Sequence, residues 1–153
     1  LRATGMRFSE LQSIKLYDIT DGKQVTTDKV EIVGKGSKPR TVFLDDRAME
    51  LINQYLKKRK DGCDALFTSN QGGELENASL NKMIKKVASK CGIEGEGVEC
   101  HAFRRTFITG LWRKGVSPDV IYALTGHSGK GGFGVECGHY INVTDEDKRM
   151  AVK

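Results

Sequence analysis

The stretch from His101 to His127, H-A-F-R-R-T-F-I-T-G-L-W-R-K-G-V-S-P-D-V-I-Y-A-L-T-G-H, leaves this chain few ways to fold. Its apolar residues Phe103, Phe107 and Leu111 recur every four positions, the stripe of an amphipathic helix over Ala102 to Lys114, and Gly115 is a natural stop. Ser117 and Pro118 fit the cap and first turn of a second helix that ends at Gly126. A helical hairpin follows. His101 and Arg104 stand one turn apart, so their heads can converge on one ligand, and His127 leaves the second helix on a loop that can turn back toward them. Two imidazoles and a guanidinium delivered in this way suit a phosphate. The same spacing also fits two packed helices with a surface arginine and incidental histidines.

A chain of 153 residues fits one domain with a real core. Its 25 Lys and Arg against 20 Asp and Glu give a net charge of +5, which leans toward an anionic partner, although a solvated basic surface explains the same excess. No apolar run approaches the roughly 20 residues that span a bilayer, and no signal-like segment opens the chain. A soluble, cytoplasmic protein without a membrane partner is expected. Cys63, Cys91, Cys100 and Cys137 form no C-x-x-C pair, the pattern of reduced thiols. Cys100 with His101, and Cys137 with His139, supply four groups of zinc-ligand type, but adjacent ligands fit usual zinc spacings poorly, so no metal is expected. The opening at Leu1, directly in apparent helix, suggests a fragment whose N-terminal part is missing.

In T-G-M-R-F-S-E-L, Gly5 breaks the chain before a short helix with Leu11 and Ile14 facing inward, and Arg7 lies right after the break. Lys15 to Ile19 reads as extended, Asp21-Gly22 as a turn, and Val30, Ile32, Val42, Phe43 and Leu44 mark two further strands around G-K-G-S-K-P. The fold expected is α+β, mainly α, with a small three-stranded antiparallel sheet. The hairpin tip carries Lys35 and Lys38, with Arg40 opening the return strand. Such tips probe a nucleic-acid backbone, or are glycine turns decorated with solvated lysines. A helix from Asp45 or Asp46 has Ala48, Leu51, Ile52, Tyr55 and Leu56 on its inner face, and its terminal run Lys57, Lys58, Arg59 and Lys60 complements the helix dipole. Asn77 to Cys91 forms another helix, with Leu80, Met83, Ile84, Val87, Ala88 and Cys91 on one stripe. Gly129-x-Gly131-x-x-Gly134 has the form of a dinucleotide fingerprint, yet it follows a helix instead of a strand and is read as a flexible loop. It leads to Gly138-His139-Tyr140 and a helix-prone end from Asp145 to Lys153.

Taken in order, T-G-M-R-F-S-E-L, G-K-G-S-K-P-R, H-A-F-R-R-T-F, T-G-H-S and a late tyrosine resemble the tyrosine recombinases, the family of phage integrases and Xer resolvases. The resemblance covers essentially residues 1–153 as that family's catalytic domain. It implies that Arg7 matches the family's first arginine, Lys35 the lysine of the strand hairpin, His101 and Arg104 the H-x-x-R pair, His127 the histidine of the G-H motif, and Tyr140 the nucleophile. Glu10 matches the acidic residue supporting the first arginine, its alternative being an ordinary helix-surface glutamate. Lys38, Arg40 and Arg105 are read as contacts to the DNA backbone, with a solvated role as the alternative for the two arginines. Tyr17, Tyr55 and Tyr122 fall in a strand region, a core helix face and the helix before His127. The distance from His127 to Tyr140 is several residues longer than is usual, the excess lying in the glycine-rich loop.

By this resemblance the partner is double-stranded DNA, and the activity is site-specific cleavage and rejoining through a 3′-phosphotyrosyl link, with neither cofactor nor metal. A phage or mobile-element integrase is expected, with a Xer-like resolvase, a type IB topoisomerase-like enzyme and an inactive DNA-binding relative as alternatives. Family members carry a second, N-terminal domain and act as tetramers on synapsed DNA, so this chain alone is expected to be monomeric and, in the cell, nucleoid-associated.

Overall fold

The computed structural model describes residues 1–33, 39–126 and 143–153. Lys35, Lys38, His127 and Tyr140 lie outside the described residues, as do Cys137 and His139. The elements are α1 (Phe8–Ser13), α2 (Leu16–Ile19), β1 (Lys29–Ile32), β2 (Arg40–Phe43), α3 (Asp46–Lys58), α4 (Asn77–Lys90), α5 (Cys100–Arg113), α6 (Pro118–Thr125) and α7 (Asp145–Val152). Helices dominate, and β1 and β2 form an antiparallel pair in the register Val30 to Val42.

Two apolar clusters hold the fold. In the first, Val30 and Ile32 point inward from β1 while Lys29 and Glu31 point out, the period-two pattern of a half-buried strand. They pack with Met6, Ile14, Ile19, Val42, Leu44 and Leu66, and α3 closes over them with Ile52 and Leu56. The second cluster joins Phe107 and Leu111 of α5, Ile121 and Leu124 of α6, and Val152 of α7. An open cavity of about 840 Å³ is bounded by residues of both clusters. Leu51, expected on the inner face of α3, borders this cavity and stays largely exposed.

Local signals explain the helix ends. The Asp45 carboxylate caps α3 by accepting from the Ala48 N–H at 2.7 Å, and Thr144 caps α7 in the same way from Asp147. Pro118 occupies the first turn of α6, and Gly126 ends it in the left-handed region at φ 65°. α7 then docks on the sheet. Its Arg149 pairs with Asp28 at 2.9 Å and lies 4.7 Å over the Phe43 ring.

Three expectations are corrected. The third strand does not form among the described residues: Leu16–Ile19 is one turn of helix. The Asp18 carboxylate accepts the Lys15 N–H at 2.7 Å, a cap that curls the backbone, and the Leu16 N–H is taken by the carbonyl of Asp64 at 2.6 Å. Only isolated bridges remain there, Lys15 to Ala65 and Thr20 to Val25. The α4 stripe is mostly unburied: Leu80 is buried, whereas Met83 and Val87 are exposed. The basic run at the end of α3 also divides. Arg59 is 6% exposed and straps the following loop, donating to both Asp61 oxygens and to the carbonyls of Cys63, Ala65 and Leu66.

Candidate functional site

The site begins at Gly5. Its φ of 61° is a left-handed conformation, and a Cβ there would stand 2.3 Å from Cδ1 of Phe107, so the position requires glycine on both counts. This close approach lets α1 begin against α5. The Gly5 carbonyl accepts from Nη1 of Arg104 at 2.7 Å, and the Thr125 carbonyl, in the last turn of α6, accepts from Nη2 at 2.6 Å. Arg104 is 3% exposed. Burial, then the nearby Arg7 cation, lower its pKa to about 10 against the opposing pull of Glu10.

Arg7 sits at the N-terminus of α1. Its backbone N–H donates to Oε2 of Glu10 at 2.6 Å and its Nη1 to Oε1 at 3.1 Å. Glu10 is not a surface residue; it is 2% exposed. Arg40 grips it from the opposite side, Nη1 to Oε1 at 2.8 Å and Nη2 to Oε2 at 2.7 Å, the two-pronged geometry that suits guanidinium to carboxylate. Burial works against the charge on Glu10, but the Arg40 hydrogen bonds and the Arg7 backbone bring its pKa down to about 2. Nε of Arg40 donates to the Leu124 carbonyl at 3.0 Å. Arg40 therefore turns inward, its guanidinium held by acceptors inside the protein and not by solvent.

His101 stands in the first turn of α5, exposed, one turn before Arg104. The N-terminus of that helix is anchored by the Cys100 N–H, which donates to Oδ1 of Asn81 at 2.8 Å. Arg7, His101 and Arg104 line one cleft of about 310 Å³, together with Asn77, Asn81 and Glu99. Arg7, Arg40 and Arg104 lie about the buried Glu10 carboxylate, and Glu99 lines the cleft, so three guanidiniums face two carboxylates and one positive charge is left over that a bound anion relieves. Arg105 takes no part in this cleft: it is 55% exposed, with Nη1 3.8 Å from Glu99. Among the described residues no three His, Cys, Asp or Glu side chains group as a metal site.

Sequence reading missed the carbonyls of Gly5, Leu124 and Thr125, which fix the arginines. The inward turn of Arg40 had a signal, since Arg40 shares its strand face with Val42, which is fully buried.

The model of the phage integrase family matches residues 1–134. Tyrosine recombinase XerC of Caldanaerobacter subterraneus subsp. tengcongensis is 33% identical over 153 residues, covering 97% of this chain and 40% of that protein. Among solved structures, XerA recombinase is 29% identical with a TM-score of 0.69, over 82% of this chain and 45% of that one. XerH site-specific recombinase bound to difH substrate, in a pre-cleavage complex, is 28% identical with a TM-score of 0.68, over 83% and 37%. The chain thus spans about two fifths of the length of the XerC relative it matches.

Proposed function

Because the chain belongs to the phage integrase family, the tyrosine recombinases, we propose that it cuts and rejoins double-stranded DNA at specific sites through a covalent 3′-phosphotyrosyl link. The observation that carries this reading is the convergence of Arg7, Arg104 and His101 on one positively charged cleft, with both arginines pinned by protein acceptors. The XerH relative, whose structure is a complex with its difH substrate, supports DNA as the partner.

During in-line attack on a phosphodiester, negative charge grows on the nonbridging oxygens. Guanidiniums held in advance stabilise that charge without reorganising at the moment of reaction. Arg7 and Arg104 take this role. Neither is free to swing away, because Glu10 holds the first and two backbone carbonyls hold the second. A phenol with an ordinary pKa near 10 attacks poorly until its proton leaves, and an imidazole is suited to accept it. In this reading His101 accepts the proton of Tyr140, the phenolate oxygen bonds to phosphorus, and the bond from phosphorus to the 5′-oxygen breaks. Lys35 supplies the proton that the departing 5′-oxygen takes, and His127 donates a hydrogen bond to the phosphate. The phosphotyrosyl ester preserves the bond for attack by a different 5′-hydroxyl. Lys38 and Arg105 are proposed to contact the DNA backbone. Integration and resolution run through this same chemistry, in assemblies of four copies on two DNA sites, with the remainder of a longer protein completing the grip on the duplex.

The test is a duplex nicked next to its cleavage position, so that the cut product diffuses away and the adduct accumulates. With chelator present, wild-type protein is expected to form a covalent adduct that peptide mapping assigns to Tyr140, and Tyr140→Phe to form none. An adduct that persists in Tyr140→Phe removes Tyr140 as nucleophile. DNA binding that falls steeply with salt, with no adduct from a full-length protein on its own site, removes the enzymatic reading.

A further inference from the structure

We propose that Arg40 is a positioning residue of the cleft: through Glu10 it fixes the guanidinium of Arg7, and through the Leu124 carbonyl it ties that arginine to the end of α6. The proposal rests on reading the cleft as a phosphodiester site.

Arg40 is poorly placed to touch DNA itself. Its side chain is 8% exposed, and Nε, Nη1 and Nη2 all have acceptors inside the protein. Arg7 is the opposite case. Its side chain is 42% exposed and, among the described residues, its Nη1 donates to Glu10 alone, so the direction in which Arg7 points follows the direction in which the Glu10 carboxylate is held. Both oxygens of Glu10 also accept from Arg40, at 2.8 and 2.7 Å, which removes the freedom of that carboxylate to rotate. Gly126 packs against the same guanidinium: a Cβ there would stand 2.9 Å from Nη1 of Arg40. One planar group thereby sets the spacing between α1, β2 and the end of α6. Lysine cannot substitute, because a single ammonium cannot bridge two carboxylate oxygens and a carbonyl on another element at once. Methionine keeps the length and apolar stem of Arg40 but removes every donor.

The test titrates tungstate, a tetrahedral dianion shaped like phosphate, by calorimetry into wild-type chain, Arg7→Ala, Arg40→Met, Arg40→Lys and the double variant Arg7→Ala/Arg40→Met. Circular dichroism and melting curves run alongside. Loss of one charge-assisted contact corresponds to about a tenfold change in affinity. Arg40→Met is expected to weaken tungstate by about that factor with its helical signal intact, and the double variant to bind no more weakly than Arg7→Ala, because Arg40 acts only through Arg7. If Arg40→Met does not fold, Arg40→Lys carries the test, with a loss of at least about threefold expected. Wild-type affinity in the folded Arg40 variant overturns the proposal, as do losses that multiply with Arg7→Ala, or wild-type chain that takes up no tungstate. Adduct formation by wild-type protein on the nicked duplex is scored separately. The expected tungstate pattern with no adduct from a full-length protein on its own site would remove the recombinase reading and leave the positioning of Arg7 by Arg40 standing.

Discussion

Arg104 donates to the carbonyl of Gly5, a residue 99 positions earlier, at 2.7 Å. That hydrogen bond joins the first turn of the chain to the helix bearing His101, and it forms only because Gly5 lets the backbone pass within a side chain's width of Phe107. Gly5→Ala is therefore expected to destabilise the protein by about 2–4 kcal/mol, combining the left-handed backbone and the overpacked ring. Urea unfolding measures it. A loss below about 1 kcal/mol would mean that Phe107 moves aside freely, and the account of this joint would be wrong.

The buried carboxylate predicts a pH dependence. Glu10 has its folded pKa depressed from the ordinary carboxylate value of 4.5 to about 2, so its stabilisation is fully present above the unfolded pKa and is lost as pH falls through this window. The loss is of the order of 3 kcal/mol between about pH 5 and pH 2. Glu10→Gln is expected to flatten that part of the stability curve. At neutral pH it also costs about 3–5 kcal/mol, since Arg40 is left buried without its counter-charge, and the two curves converge toward pH 2, where Glu10 is itself protonated. Melting temperatures of both proteins across the window decide the matter. Parallel curves would show that other carboxylates govern the acid limb.

Arg59 predicts a loss confined to stability. Its donors satisfy Asp61 and three carbonyls of the loop beneath which Ala65 and Leu66 are buried. Arg59→Met is expected to cost about 2–4 kcal/mol by leaving those acceptors unpaired. Adduct formation per folded molecule should not change. A variant as stable as wild type in urea would show that water replaces the guanidinium without penalty.

The contrast between Arg59, Arg40 and their neighbours also shows what a sequence makes legible. α3, α5, α6 and α7 follow from helical periodicity and from caps such as Asp45, Thr144 and Gly126, and the β1–β2 hairpin follows from its β-branched runs. Those signals are local. Lys15–Ile19 has strand-like composition, and its conformation is decided by the Asp18 cap and by a partner at Asp64 that no local window contains. Charged residues are ordinarily exposed, so the burial of Arg40 and Arg59 depends on acceptors supplied by other elements or by a following loop. His101 and Arg104 pair by helical spacing. Arg7 joins them through the fold, and in sequence only the ordered motifs of a family connect the three.

Arg104 and Arg105 are chain neighbours with opposite fates, and the difference gives the sharpest expectation. Arg104 faces the core, 3% exposed, and its fork spans the carbonyls of Gly5 and Thr125. Arg105 faces solvent, and among the described residues its ion pair is a long 3.8 Å approach to Glu99. Arg104→Lys retains one charge but cannot span both carbonyls, so the cation no longer sits where charge grows on the phosphate. Its single-turnover adduct formation is expected to fall by roughly 100-fold or more, while affinity for duplex DNA changes little. Arg105→Ala is expected to do the reverse: the adduct forms at near wild-type rate at saturating protein, while DNA affinity weakens and the salt slope of binding drops by about one. Kinetics on the nicked duplex and binding at three salt concentrations separate the two. Equal losses in both measurements for both variants would mean that the orientation of α5 does not distinguish the buried arginine from the exposed one.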